Sequence, residues 1–234
     1  TLLIACGAAA GISAVFNAPI AGVIFAVEIL LSETIVSYFI PLIISSVVGV
    51  LCSKIILAES SLFNFVLQQS FDYRNVPYYL VLGVMAGFIS LYYARLFKGT
   101  EKRMLGWKMN GYMKTVAGGS ILALIYFVFP PLFGEGYNSV KMVANGSLVT
   151  FADNTTLFSV LNQNWGLIVF SGLIVILKPI AAGITIGSGG NGGNFAPSLF
   201  AGSYLGFFFS KLLNSTPWIK IPEGNFSLVG MAGV

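Results

Sequence analysis

The segment Gly187–Pro197 contains the residues whose types and spacing are best suited to bind an ion. It combines glycine, serine and asparagine, and it ends at a proline. Each glycine costs roughly 1 kcal/mol in a helix interior, so we expect one helix to end here and another to begin near Asn194. The N-terminus of a helix carries about half a positive charge and unpaired backbone N–H groups, and both favour an anion. The predicted anion-binding residues are Gly193, Asn194, Phe195, Ala196 and Pro197.

The predicted donors to the anion are the backbone amides of Asn194 and Phe195. A lysine or arginine side chain would hold an anion too tightly for rapid passage, whereas backbone dipoles allow it to leave. The neighbouring glycines let the backbone approach the ion closely. The pattern therefore favours a site through which an anion passes over one that stores it.

Residues Gly187–Gly192 also fit the G-x-G-x-x-G pattern of dinucleotide-binding proteins. That motif requires a preceding strand and an acidic residue about 20 positions further on. Here the next acidic residue is Glu223, and the segment lies inside the uncharged stretch Pro179–Ser210. We therefore expect no nucleotide and no other cofactor.

Two isolated charges lie in otherwise apolar stretches. Glu28 is the only charged residue between Thr1 and Leu31. A carboxylate in the membrane costs roughly 2.5–3.5 kcal/mol, so such a residue is commonly functional; a structural acid near the cytoplasmic interface is the alternative, and both stay open. For Lys178 we expect a side chain that extends to a membrane interface.

The composition indicates that lipid surrounds much of this chain. Hydrophobic residues make up 56% of the sequence and charged residues only 9%, against about 25% charged residues in a soluble domain. With 12 basic and 8 acidic residues the chain is too sparsely charged to bind nucleic acid. It contains no histidine, which removes the commonest general base and metal ligand. We therefore expect neither an enzyme nor a metal site.

Charge-free intervals mark the candidate membrane spans, because a spanning helix needs roughly 20 apolar residues. Six basic residues fall within Arg95–Lys114 and predict a cytoplasmic connection. The residues Phe16–Pro19 interrupt the first interval: Asn17 is a capping residue and Pro19 suits a first helical turn, so we expect a helix to end before Phe16 and another to start at Pro19. The intervals are Thr1–Val27, Thr34–Ser53, Asn75–Ala94, Thr115–Gly134, Asn154–Leu177 and Pro179–Ser210.

The predicted fold is therefore an all-α polytopic membrane protein with tilted and broken helices. Broken helices persist at membrane depth only where the freed backbone is buried or lines a cavity. Thr1 opens directly into an apolar stretch, and the last residues before Val234 stop where a helix would begin. We interpret residues 1–234 as a single partial transmembrane domain, cut at both ends.

Two motifs resemble those of the CLC family of chloride channels and proton-coupled anion exchangers. The stretch Lys178–Gly202 includes the Gly-x-Phe-x-Pro core at Gly193–Pro197, and Gly7–Glu28 is similar to a second signature of the family. The resemblance implies an inverted-repeat architecture and an anion, most readily chloride, held by the amides of Asn194 and Phe195. It further implies a homodimer whose interface lies near the helices around Pro19–Ile29 and Ile35–Ser53.

The sequence departs from the family at a position that matters for mechanism. Many proton-coupled members carry a second carboxylate just after the position that Glu28 matches, and here that residue is Ile29, which cannot carry a proton. Glu28 itself matches a position that the resemblance treats as largely structural. A channel and an exchanger with an altered proton path both stay open. So does a secondary transporter of another substrate with an inverted-repeat fold. The lack of long insertions favours a bacterial inner membrane.

Overall fold

A computed structural model describes residues 2–31, 36–57, 72–145, 163–216 and 218–234. Across these residues the chain forms nine α-helices joined by short 3-10 and π-helical turns, and no strand occurs within them. The predicted all-α fold is thus confirmed. The chain divides into two compact units, Thr1–Asn64 and Phe65–Val234.

The first unit contains three α-helices that pack around small side chains. Their bounds are α1 (Leu2–Phe16), α2 (Pro19–Phe25), which continues as a π-helical turn (Ala26–Leu30), a 3-10 turn (Val36–Tyr38) and α3 (Phe39–Leu57). The centre of the unit is formed by Ala5, Ala9, Val23, Ala26 and Leu42. Three of these residues are alanine, and the helix backbones approach closely: a Cβ at Gly49 of α3 would lie 2.6 Å from the Ala10 carbonyl oxygen of α1.

The break between α1 and α2 lies where the sequence predicts it, but its asparagine acts differently. Helix α2 begins at Pro19, as expected, and α1 ends at Phe16. Asn17 does not cap α2: it adopts the left-handed conformation, with φ of 53°, and the N-cap is Ala18 without a side-chain bond. Asparagine tolerates this conformation better than most residues, so Asn17 ends α1 instead of starting α2.

Buried serine hydroxyl groups join the three helices of the first unit. The Oγ atoms of Ser13 on α1 and Ser46 on α3 are 2.5 Å apart, and Ser46 donates to the carbonyl oxygen of Pro19 at 2.6 Å. Both serines are fully buried. This network links α3 to the break between α1 and α2.

The second unit contains the glycine-rich segment. Its helices are α4 (Val76–Leu105), α5 (Gly111–Val128), α6 (Tyr137–Ala144), α7 (Gln163–Gly187), α8 (Phe195–Asn214) and α9 (Glu223–Gly233), with 3-10 turns at Tyr73–Asn75 and Pro130–Leu132. Helices α8 and α9 pack backbone to backbone, since a Cβ at Gly202 or Gly206 would collide with the main chain of α9. The Oγ atoms of Ser203 and Ser227 are 2.7 Å apart across this contact.

Four helical stretches are long and apolar enough, by length and composition, to cross a membrane within the described residues. They are Phe39–Ile56, Tyr73–Leu105, Gly111–Val128 and Trp165–Gly187. One predicted division is wrong: α7 runs without interruption through Lys178 and Pro179, because the charged group of Lys178 is enclosed by protein and does not require a helix end. The interval termini Thr34 and Asn154, and Ile35 of the predicted interface, lie outside the described residues.

Candidate anion site

Helix α7 ends in a Schellman motif, which explains the first glycines of the segment. Gly189 has a positive φ of 100°; its N–H donates to the Ile186 carbonyl at 3.1 Å, and the Gly190 N–H donates to the Thr185 carbonyl at 2.9 Å. This pair of bonds satisfies the last carbonyl groups of the helix and requires a residue free to adopt positive φ. The predicted helix end is therefore fixed by local backbone geometry.

Helix α5 holds this helix end in place. The hydroxyl of Thr115 donates to the Ser188 carbonyl oxygen at 2.9 Å, and the Ser188 hydroxyl donates back to the Ile184 carbonyl at 2.6 Å. Ser188 is buried, and its side chain lies directly against Gly118 of α5, where a Cβ would not fit. The C-terminus of α7 therefore keeps a defined position relative to α5.

Helix α8 begins at Phe195, and Asn194 occupies its N-cap position without capping it. The backbone of Asn194 is helical, with φ of −88° and ψ of −11°, and its side chain makes no capping bond. Instead, its Oδ1 accepts a hydrogen bond of 3.0 Å from the hydroxyl of Tyr93 on α4. Tyr93 is almost fully buried, so its hydroxyl holds the side-chain amide of Asn194 away from the first turn of α8.

A cavity of about 400 Å³ lies between the end of α7, the glycine-rich loop and the start of α8. It brings together four of the five predicted anion-binding residues, and Asn194 is not among its lining residues. Phe195 is about half exposed. The predicted residues in the lining are Gly193, Phe195, Ala196 and Pro197.

Lys178 also lines this cavity, which the sequence reasoning missed. Its Nζ donates to the carbonyl oxygens of Leu132 at 3.2 Å and Gly134 at 3.0 Å, and it lies 4.3 Å from the centroid of the Phe200 ring. The side chain is 2% exposed, so the predicted extension to a membrane interface is wrong. A lysine inside an otherwise apolar run was the available signal, but its carbonyl partners lie 46 and 44 residues away.

The turn that supplies these carbonyls also places an acidic residue at the cavity. Gly134 and Gly136 have positive φ angles of 65° and 81°, and Glu135 between them is exposed and lines the cavity. Burial, and secondly the Glu135 carboxylate, raise the pKa of the Tyr137 phenol. The turn thus brings one carboxylate near Lys178, but the two groups do not form an ion pair. Among the described residues, the salt bridge is the one between Lys211 and Glu223.

The cavity therefore combines an uncapped helix N-terminus with a buried ammonium group. The two carbonyl partners of Lys178 are neutral, so they orient its charge without cancelling it. A helix N-terminus and a cation both favour negative charge. No group of three or more metal-ligating side chains occurs among the described residues.

Glu28 and Ile29 lie in the first unit, in the π-helical turn Ala26–Leu30. Both side chains are exposed there. Single π-helical turns occur frequently at functional sites, but this geometry is compatible with a functional and with a structural acid.

The chain matches one protein family along its whole length. Residues 1–234 match the family described as voltage gated chloride channel. Similar curated proteins are the voltage-gated ClC-type chloride channel ClcB of Escherichia coli strain K12 and the protein of the same name from strain HS. Each is 30% identical over 234 residues, which are 100% of this chain and 51% of the relative. The chain thus spans about half the length of these relatives.

Proposed function

The chain belongs to the voltage-gated chloride channel family, and on that premise we propose that it forms part of a pathway for small inorganic anions, chloride foremost. Its apolar helices and its family make it part of an integral, multi-pass membrane protein. We place that protein in a bacterial inner membrane.

The observation that carries this proposal is the composition of the cavity between α7 and α8. The first turn of α8 opens into it, Lys178 lines it, and the loop Gly187–Gly193 contributes no carboxylate. A divalent cation would instead need several oxygen ligands, carboxylates among them. The one acidic residue in the lining, Glu135, limits how strongly an anion is held, which suits a pathway that must release its ion.

We propose that backbone amides at the start of α8 bind the anion directly. Asn194 and Phe195 supply these N–H groups, and Gly193 leaves space beside them, since a Cβ there would meet nothing within 4 Å. The bond from Tyr93 to the Asn194 side chain supports this role because it keeps a competing acceptor away from the helix end. Lys178 contributes a longer-range attraction from within the cavity wall.

We propose that coupling of anion movement to protons is weak or absent. Ile29 has no titratable group, and the adjacent Glu28 lies in an exposed π-helical turn. Glu28 then acts as a structural acid, and the protein behaves as a channel or as an exchanger that uses another proton path.

The test is anion flux through the longest natural chain that contains these residues, reconstituted in liposomes. Chloride efflux is measured with a chloride electrode while valinomycin clamps the voltage, with and without an imposed pH gradient. We expect chloride efflux that responds to voltage, with little proton movement in response to a chloride gradient. Chloride efflux no faster than from protein-free liposomes would contradict the anion pathway. Protons pumped in a fixed ratio to chloride would contradict weak coupling.

We also propose that two copies associate through the first unit. Helices α2 and α3 expose branched apolar side chains, and a mainly apolar groove of about 310 Å³ runs between them. The groove residues are Pro19, Ile20, Val23, Ile24, Phe39, Ile43, Ser46 and Val47.

A further inference from the structure

One face of α4 changes from apolar to basic along its length. Leu91, Arg95, Gly99 and Arg103 follow one another at intervals of four residues, so they form a row on the helix surface. Together with Phe88 they line a groove of about 560 Å³. Gly99 opens the groove between the two arginines, because a Cβ there would meet nothing within 4 Å.

The groove lies at the end of α4 where the basic residues of the chain are concentrated. Arg95–Lys114 contains six basic residues and one acidic residue, Glu101, which does not line the groove. Neither Arg95 nor Arg103 takes part in an ion pair within the part of the chain that the structure describes. The groove therefore offers two guanidinium groups without carboxylate partners.

The spacing of these groups matches a phospholipid with a negatively charged headgroup. Arg103 follows Arg95 by eight positions, which is about 12 Å along the helix axis, and both long side chains can turn towards the space above Gly99. One guanidinium group can donate two parallel hydrogen bonds to two oxygens of the same phosphate. Towards the apolar half of α4, Phe88 and Leu91 are 70% and 58% exposed and provide a surface for an acyl chain.

We propose that this groove is a binding site for an anionic phospholipid. The phosphate lies between Arg95 and Arg103 above Gly99, and an acyl chain lies along Leu91 and Phe88. A phospholipid fits better than a soluble phosphate or an acidic peptide, because the basic and apolar parts are continuous on one membrane-spanning helix. The lipid belongs to the leaflet next to the basic segment Arg95–Lys114, which comprises the end of α4, the following turn and the start of α5.

The first test removes the charges. The longest natural chain that contains these residues is purified free of lipid and titrated with phosphatidylglycerol or phosphatidylcholine, and bound lipid is counted by native mass spectrometry. The double substitution Arg95→Gln and Arg103→Gln should weaken phosphatidylglycerol binding at least tenfold, because each arginine loses its charge-assisted hydrogen bonds to the phosphate. It should weaken phosphatidylcholine binding less, because the choline cation of that lipid opposes the same arginines. The matched control is Lys98→Gln with Lys102→Gln, which removes the same charge from α4 outside the groove and should have less than a threefold effect.

The second test fills the groove without changing charge. Gly99→Leu should weaken phosphatidylglycerol binding at least fivefold, whereas Gly83→Leu, at another open glycine of α4, should not change it. Both variants should elute as the native protein does, since leucine favours a helix more than glycine. Wild-type affinity in Gly99→Leu, or an equal loss in the lysine control, would show diffuse attraction to the basic segment and would overturn the proposed site.

Discussion

Among the described residues, no carboxylate lies within hydrogen-bond distance of the Lys178 ammonium group. Two carbonyl oxygens and the face of Phe200 surround it. A full charge in such surroundings acts over a longer range than an exposed one, because little water screens it. We therefore regard Lys178 as the main source of positive potential in the cavity wall.

Replacing Lys178 tests that role. Lys178→Met should lower the apparent chloride affinity about 15-fold, the effect of one unit charge at about 10 Å with an effective dielectric constant near 20. It should also lower the free energy of unfolding by about 1–3 kcal/mol, because the carbonyl groups of Leu132 and Gly134 lose their donor. Affinity is measured by chloride titration of flux, and stability by thermal unfolding in detergent.

Two further variants distinguish charge from packing at this position. Lys178→Arg keeps the charge and should restore most of the chloride affinity, even where stability is not fully restored. Lys141→Met removes a lysine that does not line the cavity and should leave affinity unchanged. A normal affinity in Lys178→Met would refute the electrostatic role.

Gly193 gives a second test at the scale of one residue. Its missing side chain faces open space rather than neighbouring atoms, so Gly193→Leu should fold normally while its side chain occupies the cavity. We expect chloride flux to fall at least tenfold with no loss of thermal stability. Gly87→Leu, at an open position on α4, is the control, and undiminished flux in Gly193→Leu would exclude this cavity as the pathway.

The break between α7 and α8 shows which parts of an element sequence alone can predict. Its position follows from residues within the segment, because Gly189 and Gly190 complete a local pattern of hydrogen bonds. The same holds for the start of α2 at Pro19. The partners that fix the break were not predictable: Thr115 and Tyr93 lie 73 and 101 residues away from the atoms they bind, and no short-range pattern records such contacts.

The contact between α4 and the start of α8 leads to a prediction about the uncapped helix end. Tyr93→Phe releases the Asn194 side chain, whose Oδ1 can then accept a hydrogen bond from a backbone N–H in the first turn of α8. The donor is Ala196, because Pro197 has no N–H. Such a cap, worth about 1 kcal/mol, places the Oδ1 acceptor at the helix end beside the amides of Asn194 and Phe195, where it opposes a bound anion, so chloride affinity should fall about fivefold. Affinity is again measured by chloride titration of flux.

A second substitution separates this competition from general damage. Combining Tyr93→Phe with Asn194→Ala removes the competing acceptor and should return the affinity to near its original value. Tyr92→Phe removes the neighbouring hydroxyl, which binds the Ile176 carbonyl, and should have no effect. If the double variant is as weak as Tyr93→Phe alone, Asn194 is not the competitor.

At the scale of the whole molecule, the composition predicts the lipid environment and the family motifs predict the fold. Hydropathy also predicts the start of α4, but the predicted interval ends at Ala94 whereas the helix continues through the following basic residues to Leu105. It fails at Lys178, because an interval between charges equals a span only where each charge lies at a membrane surface. A charge that is satisfied inside the protein carries no such information.

The proposed dimer gives a prediction at this scale. Ile24→Trp together with Ile43→Trp should overfill the apolar groove between α2 and α3 and shift the protein from dimer to monomer. The mass of the detergent-solubilised protein, measured by light scattering, should fall to half that of the wild type. Val84→Trp with Phe88→Trp places the same bulk on exposed positions of α4 and should leave a dimer. An unchanged dimer in the first variant would place the interface elsewhere.

The enclosed ammonium of Lys178 also bears on how the protein is made. Leu132 and Gly134 precede Lys178 in the chain, so the ribosome has already delivered both carbonyl partners when α7 reaches the translocon. An arriving helix with a charged centre inserts poorly unless that charge is satisfied. The order of synthesis therefore allows the turn at Leu132 and Gly134 to assist the membrane insertion of α7. We expect α7 expressed without this turn to integrate less efficiently into the bilayer.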